Sequence, residues 1–256
     1  MQDISNTRIV FDGKVEAEKI AESLKASGEL KHKGLLILQC DGESMESGYV
    51  RMKRTMAQRL GVEEEVRFVM DKSKVVEEIE KGNDDEKVMG ILVQLPIKGA
   101  SKDEVEQILS TIDPSKDIDG LNPKSSFIPA VVVAVETVLE KINLSRDKSV
   151  ALVGSEGMVG RRLYSRLLEL GFIASGFDKG DDLMKLKDFD VIISCTGQEG
   201  LIKAQMVRQG FVGIDLGYPR GDISQEAADK ARVITPVPGG VGPLTIVSLF
   251  ENLSEA

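Results

Sequence analysis

Short runs of uninterrupted apolar residues, alternating with stretches of helical periodicity, restrict the fold of this chain more than any other feature. Residues 35–38 read Leu-Leu-Ile-Leu after Gly34, residues 90–95 read Gly-Ile-Leu-Val-Gln-Leu, and residues 149–153 read Ser-Val-Ala-Leu-Val. A strand covered on both faces is apolar throughout, as in parallel sheets, whereas a half-solvated strand alternates. Further strands are expected at 9–11, 66–70, 173–177, 191–197, 210–216 and 232–235. Ala17, Ile20, Ala21 and Leu24 fall at i, i+3, i+4 and i+7, which predicts a helix over 15–26. Helices are also expected over 49–60 (closed by Gly61), 75–81, 102–110, 128–142, 160–170 and 246–253. Strand and helix in alternation predict an α/β layer fold with a mainly parallel sheet.

Composition removes several function classes. A chain of 256 residues has room for two domains. Its formal charge of −9 leaves no basic footprint for nucleic acid. No apolar run approaches the roughly 20 residues of a membrane span, and the polar start lacks the apolar core of a signal peptide. A cytoplasmic protein is therefore expected, with Cys40 and Cys195 as inert thiols in apolar runs. The single histidine, His32, lies between two lysines in a polar turn, which argues against histidine catalysis and histidine-rich metal sites. Asp113 to Asp119 form an acidic cluster without His or Cys, so no metal site is expected there.

Four places carry candidate chemistry. The strand at 149–153 runs into Gly154-Ser155-Glu156-Gly157-Met158-Val159-Gly160 and then a helix, in outline a dinucleotide-binding βαβ unit. Glycines let the backbone approach a pyrophosphate, and the helix N-terminus offers free amides. Asp178 ends the next strand at about the ~20-residue distance expected of the ribose-binding acid. Tyr49 and Lys53 stand one helical turn apart, so both project from one face. Gln94 sits in an otherwise apolar strand, at the carboxyl end where α/β sheets place ligands. Asp119, in Lys116-Asp117-Ile118-Asp119-Gly120, could present a carboxylate to a donor-rich ring such as an aminopyrimidine. Finally, Pro236-Val237-Pro238-Gly239-Gly240-Val241-Gly242-Pro243-Leu244-Thr245 has no ionisable side chain. Its prolines and glycines suit a stiff backbone wall for a flat ligand, or a strand-to-helix connector.

Val93-Gln94-Leu95-Pro96, the segment 116–120 and the segment 236–245, in that order after Asp12-Gly13-Lys14 and Tyr49-Val-Arg-Met-Lys53, resemble the bifunctional methylenetetrahydrofolate dehydrogenase/methenyltetrahydrofolate cyclohydrolase family. The resemblance spans nearly the whole chain. It implies two α/β domains around a cleft: a folate-binding catalytic domain at 1–125 with a closing helix at 243–256, and a Rossmann-type domain at 126–242. It also implies oxidation of 5,10-methylenetetrahydrofolate by NAD(P)+ and hydrolysis of the methenyl product to 10-formyltetrahydrofolate. By resemblance Lys53 is the catalytic lysine, with Tyr49 beside it and Gln94 orienting it, and Asp119 grips the pterin. Leu95, Pro96, Gly239, Gly240 and Pro243 would line the substrate. Residues 154–160, Asp178, Lys179, Thr196 and Thr245 would meet the cofactor. Tetrahydrofolate derivatives are the implied partners, and a homodimer the implied assembly.

This chain departs from the family pattern in the nucleotide turn. The family commonly has Gly-Arg-Ser where Gly154-Ser155-Glu156 stands. Loss of an arginine and gain of a carboxylate should weaken binding of a 2′-phosphate, and Asp178 points the same way, toward NAD. NADP, the family's usual cofactor, stays open because Lys179 follows Asp178, and Arg161 and Arg162 lie in the adjoining helix. The family's Pro-Cys-Thr-Pro run appears as Pro129-Ala130-Val131-Val132.

Overall fold

Every strand of the protein runs parallel to its neighbours in the computed structural model, which describes residues 8–256. The polar start at 1–7 lies outside the described residues. The strands form two sheets, each in its own compact unit. One unit comprises Glu18–Ala130 and Ile246–Ala256; the other takes the described residues up to Ala17 and Val131–Thr245.

The smaller sheet has the order β3 (Glu63–Phe68), β2 (Gly34–Gln39), β4 (Val88–Gln94). Its central strand is the apolar run of the sequence: Leu36, Ile37 and Leu38 have no exposed surface. Burying each such side chain contributes about 1.5–3 kcal/mol. Helix α2 (Gly48–Leu60) packs here through Val50, Ala57 and Leu60, against Ile37, Leu92, Phe250 and Leu253. Ser47 caps its N-terminus by accepting from the Val50 amide, and Gly61 ends it in the left-handed region, as expected. The third strand begins three residues before its expected position. Glu63, Glu64 and Glu65 read as polar loop, yet the ladder to β2 pairs Gly34 with Glu63. As an edge strand, β3 tolerates these charges, which arginines offset at Arg54 and Arg67.

Helices α3 (Val75–Asp84) and α4 (Lys102–Leu109) complete this unit, together with parts of α1 (Gly13–Ser27) and of the last helix, Val241–Glu255. The Lys116 ammonium donates to the carbonyls of Gly82, Asn83 and Asp85, closing the end of α3. The Asn252 amide donates to the carbonyls of Ile118 and Ile128. Held from both sides, the 116–120 turn has little freedom.

The larger sheet has the order β1 (Ile9–Val10), β9 (Val233–Ile234), β8 (Val212–Asp215), β7 (Val191–Ser194), β5 (Ser149–Val153), β6 (Ile173–Phe177). Strand order reverses between β5 and β7, the crevice where doubly wound sheets bind ligands. Helices α5 (Ala130–Lys141), α6 (Met158–Glu169) and the short α7 (Gln225–Ala228) belong to this unit. The N-terminal strand joins it too, because Ile9 pairs with Val233 and Val10 with Ile234. The unit boundaries thus depart from the expected 1–125 and 126–242: residues 8–17 pack with the second stretch of chain.

The same unit brings together two motifs from opposite ends of the sequence. Asp12 caps α1 by accepting from the amides of Lys14 and Val15. The Gly13 amide donates to the Gly239 carbonyl at 3.0 Å. A Cβ at Gly13 would stand 1.6 Å from the Gly240 carbonyl oxygen, so backbone meets backbone with no room for a side chain. The last helix, α8 (Val241–Glu255), starts five residues before the 246 expected from the residue pattern and two before the 243 implied by the resemblance. Pro243 stands in its first turn, where a missing amide donor leaves no bond unmade.

Replacing Gly13 by Ala forces these backbones apart and is expected to destabilise the unit by on the order of 3 kcal/mol. A lowered thermal midpoint by circular dichroism checks this, against a Gly48→Ala control, where a Cβ meets nothing within 4 Å and the backbone is not left-handed.

Candidate functional site

The apolar stripe of α2 contains one charged residue. Val50, Lys53, Ala57 and Leu60 are its buried positions, and Lys53 is only 6% exposed. Its Nζ donates to Oε1 of Gln94 at 2.8 Å. Gln94 in turn donates from Nε2 to the Leu95 carbonyl at 2.8 Å, which fixes its amide with the oxygen toward the lysine. Tyr49 lies one turn back, its ring centroid 5.8 Å from Nζ. Burial pushes the Lys53 pKa below its ordinary 10.5, while the negative charge of Asp119 pulls the other way. The structure thus brings Lys53, Gln94, Tyr49 and Asp119 to one locality. Asp119 is half-buried in its clamped turn, and Gly120 follows with φ 68° against the backbone of Pro129. Leu95 and Pro96 continue from Gln94 past the carboxyl end of β4, with Pro96 exposed.

The arrangement can hold a neutral amine at the end of an apolar helix face. A neutral lysine is a proton acceptor, which an ordinary surface lysine is not.

In the larger sheet, β5 ends in Gly154, with φ 92°. A Cβ at Gly160 would come 1.9 Å from the Gly154 carbonyl oxygen, so the turn and α6 touch directly. Gly157 is the N-cap of α6 and no side chain caps it, leaving the amides of Met158, Val159 and Gly160 to other acceptors. These features fit a dinucleotide pyrophosphate. Asp178, just past β6, accepts from the Ser155 hydroxyl and, at 3.1 Å, from the Glu156 amide. Glu156 and Lys179 are exposed beside it. Thr196 follows β7, and its Cγ2 would lie 3.2 Å from a Cβ at Gly154.

The 236–245 segment is a turn followed by a helix rather than one extended wall. Gly239 has φ 110°, and Gly240 fits where a Cβ would meet Thr235 at 2.6 Å. Thr245 donates to the Val241 carbonyl within α8. Beside Pro236 and Val237 lies a cavity of about 560 Å³ at the carboxyl ends of β1, β8 and β9. Sequence reasoning passed over Asp215 and Asp222, both buried near that end of the sheet. A carboxylate closing an apolar strand at 215 was the available signal.

Among the described residues no group of three His, Cys, Asp or Glu side chains is placed to hold a metal ion. No helix among the described residues is long and apolar enough to cross a membrane. Burial pushes both thiols, Cys40 and Cys195, up to about 12.

The fold and site define a two-unit α/β protein with a Rossmann-type nucleotide unit and a buried lysine on the other. Family models match both parts: the tetrahydrofolate dehydrogenase/cyclohydrolase catalytic domain over residues 11–119 and its NAD(P)-binding domain over 129–256. The bifunctional protein FolD of Hydrogenobaculum sp. is 33% identical over 275 residues, covering 96% of this chain and 98% of that protein. The crystal structure of the bifunctional FolD enzyme from Campylobacter jejuni superposes with a TM-score of 0.87 at 29% identity, covering 97% and 98% of the two chains. The Trypanosoma brucei methylenetetrahydrofolate dehydrogenase-cyclohydrolase, solved with NADP cofactor and inhibitor, gives 0.85 at 26% identity, covering 96% of each. The chain belongs to the tetrahydrofolate dehydrogenase/cyclohydrolase family. It acts on folate derivatives through a dehydrogenase and a cyclohydrolase reaction, with a nicotinamide dinucleotide as cofactor.

Because burial lowers the Lys53 pKa, the folded state sheds its proton before the unfolded state does. Between that depressed pKa and 10.5 the unfolded chain binds more protons, so stability rises with pH across this window. Lys53→Met is therefore expected to raise the thermal midpoint at pH 7, with the gain shrinking as pH approaches 10.5. Gln94→Glu sets a carboxylate against Lys53, which raises its folded-state pKa, and is expected to shrink the rise in thermal midpoint between pH 7 and 10.5.

Proposed function

We propose that Lys53 is the proton carrier of the cyclohydrolase reaction, oriented by Gln94 and Tyr49. The observation that carries this is the buried Nζ held at 2.8 Å by the Gln94 oxygen, with its pKa driven down by desolvation. As water adds to the methenyl carbon of 5,10-methenyltetrahydrofolate, neutral Lys53 accepts its proton. The ammonium so formed can return the proton to the nitrogen that leaves, while the carbinolamine hydroxyl gives its own proton to solvent as the C=O bond forms and the ring opens to 10-formyltetrahydrofolate. Asp119 accepts hydrogen bonds from the donor-rich edge of the pterin, with Leu95 and Pro96 lining the substrate. In the dehydrogenase reaction the demand on the protein is positioning. The dinucleotide, when bound, supplies the hydride acceptor.

The glycine turn with Met158, Val159 and Gly160 would hold the pyrophosphate, and Thr196 and Thr245 would border the cofactor. The geometry of Asp178 supports NAD over the NADP usual in the family. Its Oδ1 keeps lone-pair capacity for a ribose hydroxyl beside the Glu156 amide bond. A 2′-phosphate would meet two carboxylates, Asp178 and Glu156, a like-charge contact that costs several kcal/mol. Lys179 favours the second reading, NADP, but it is exposed. A cytoplasmic location and the homodimer of the family belong to the same proposal.

Lys53→Met is expected to lower cyclohydrolase kcat by about 10²–10⁴-fold. A variant with full hydrolase activity would remove Lys53 from the mechanism. In a dehydrogenase assay with methylenetetrahydrofolate, kcat/KM for NAD+ is expected to exceed that for NADP+ by about tenfold or more, given the like-charge penalty. The reverse order would refute the assignment of Asp178 and Glu156.

A further inference from the structure

Asp222 has no exposed surface, yet its carboxylate is used unevenly. Oδ2 accepts three hydrogen bonds: from the Ser194 hydroxyl at 2.7 Å, the Thr196 amide at 2.7 Å and the Thr196 hydroxyl at 2.8 Å. Oδ1 is buried with no hydrogen-bond partner among the described residues. Such concentration on one oxygen serves the residues that donate to it, since a carboxylate placed for its own solvation would share its bonds.

Those donors lie at the carboxyl end of β7, at the point where strand order reverses. Ser194 pairs in register with Val153, and the Cys195 amide donates to the Val153 carbonyl. Thr196 packs against Gly154, the first residue of the glycine turn. Asp222 itself is delivered by a second buried carboxylate. Asp215 accepts from the amides of Gly217, Asp222 and Ile223, which shapes the 217–223 turn. Gly217 and Gly221 keep that turn tight: a Cβ at 217 would approach Asp222 Oδ1 at 2.8 Å, and one at 221 would approach Asp215 Oδ2 at 2.5 Å.

We propose that Asp222 is a positioning residue for the dinucleotide, locking Thr196 against Gly154 so that the crevice between β5 and β7 has one shape. This rests on the placement of the dinucleotide at residues 154–160. Asp222 acts through Thr196 and belongs to the nucleotide unit, whereas Lys53 belongs to the other. Its loss should therefore separate the two activities, since the cyclohydrolase reaction needs no dinucleotide.

The test measures both reactions and dinucleotide binding by calorimetry on the full chain. Asp222→Ala leaves the Thr196 donors unpaired and is expected to raise the dinucleotide KM and Kd about 10- to 100-fold. Cyclohydrolase kcat/KM should stay at the wild-type value. Asp222→Asn keeps an acceptor oxygen toward Thr196 and should restore binding to within about threefold of wild type. Unchanged dinucleotide affinity in Asp222→Ala, or an equal fall in both activities with a folded protein, overturns the proposal. If Asp222→Ala fails to fold, Ser194→Ala, which removes one of the donors that hold Asp222, decides: weakened dinucleotide binding with intact hydrolase supports the proposal, and unchanged binding refutes it. A glycine-turn variant, Gly157→Asp, that binds dinucleotide normally would instead overturn the placement of the cofactor.

Discussion

An ammonium withdrawn from water at a core position of α2 sets the terms for the rest of the smaller unit. Desolvating such a charge is costly unless partners or a lowered pKa relieve it. Lys53 has one neutral acceptor, Gln94, and a carboxylate acting on it from Asp119. Each partner needs its own support. The Leu95 carbonyl turns the Gln94 amide the right way, Lys116 and Asn252 clamp the turn that carries Asp119, and Ser47 and Gly61 fix both ends of α2. The apolar stripe then keeps solvent from the stem. Lys53 is a core residue in position, and under the role proposed for it the same burial that costs stability would make the amine reactive.

The larger unit solves a different problem, the close approach of backbone to an anion. It uses glycines where α6 meets the β5 turn, and carboxylates to shape the neighbouring loops. That use of carboxylates gives the nucleotide end of the sheet an acidic character. Asp178 organises the 155–156 loop by accepting from the Ser155 hydroxyl and the Glu156 amide, so the role proposed for it in cofactor choice would rest on a side chain that also serves local structure.

Much of this was legible in the sequence, for physical reasons that differ by element. Buried parallel strands announce themselves as apolar runs, and β2, β4 and β5 appeared where such runs stand. The start of β3 did not, because three glutamates carry no strand signal and only pairing with β2 recruits them. The start of α8 was hidden by Pro243, which forbids a helix interior but suits a first turn. The locality of Lys53, Gln94 and Asp119 followed from resemblance, although spacing alone put Lys53 in step with Val50, Ala57 and Leu60. Asp222 gave no signal: its burial depends on the turn that Asp215 shapes, a relation of packing and not of pattern.

The pairing of β1 with β9 has a consequence for the order of events during synthesis. Ile9 and its partner Val233 are 233 − 9 = 224 residues apart. Emerging at 5–20 residues per second, the first strand waits roughly 10–45 s for its partner. Throughout that interval Ile9 and Val10, a short apolar edge, must stay unpaired while the smaller sheet, whose strands all lie within residues 34–94, already has its full complement. The nascent chain therefore passes through a stage in which one sheet is complete and the other lacks its margin.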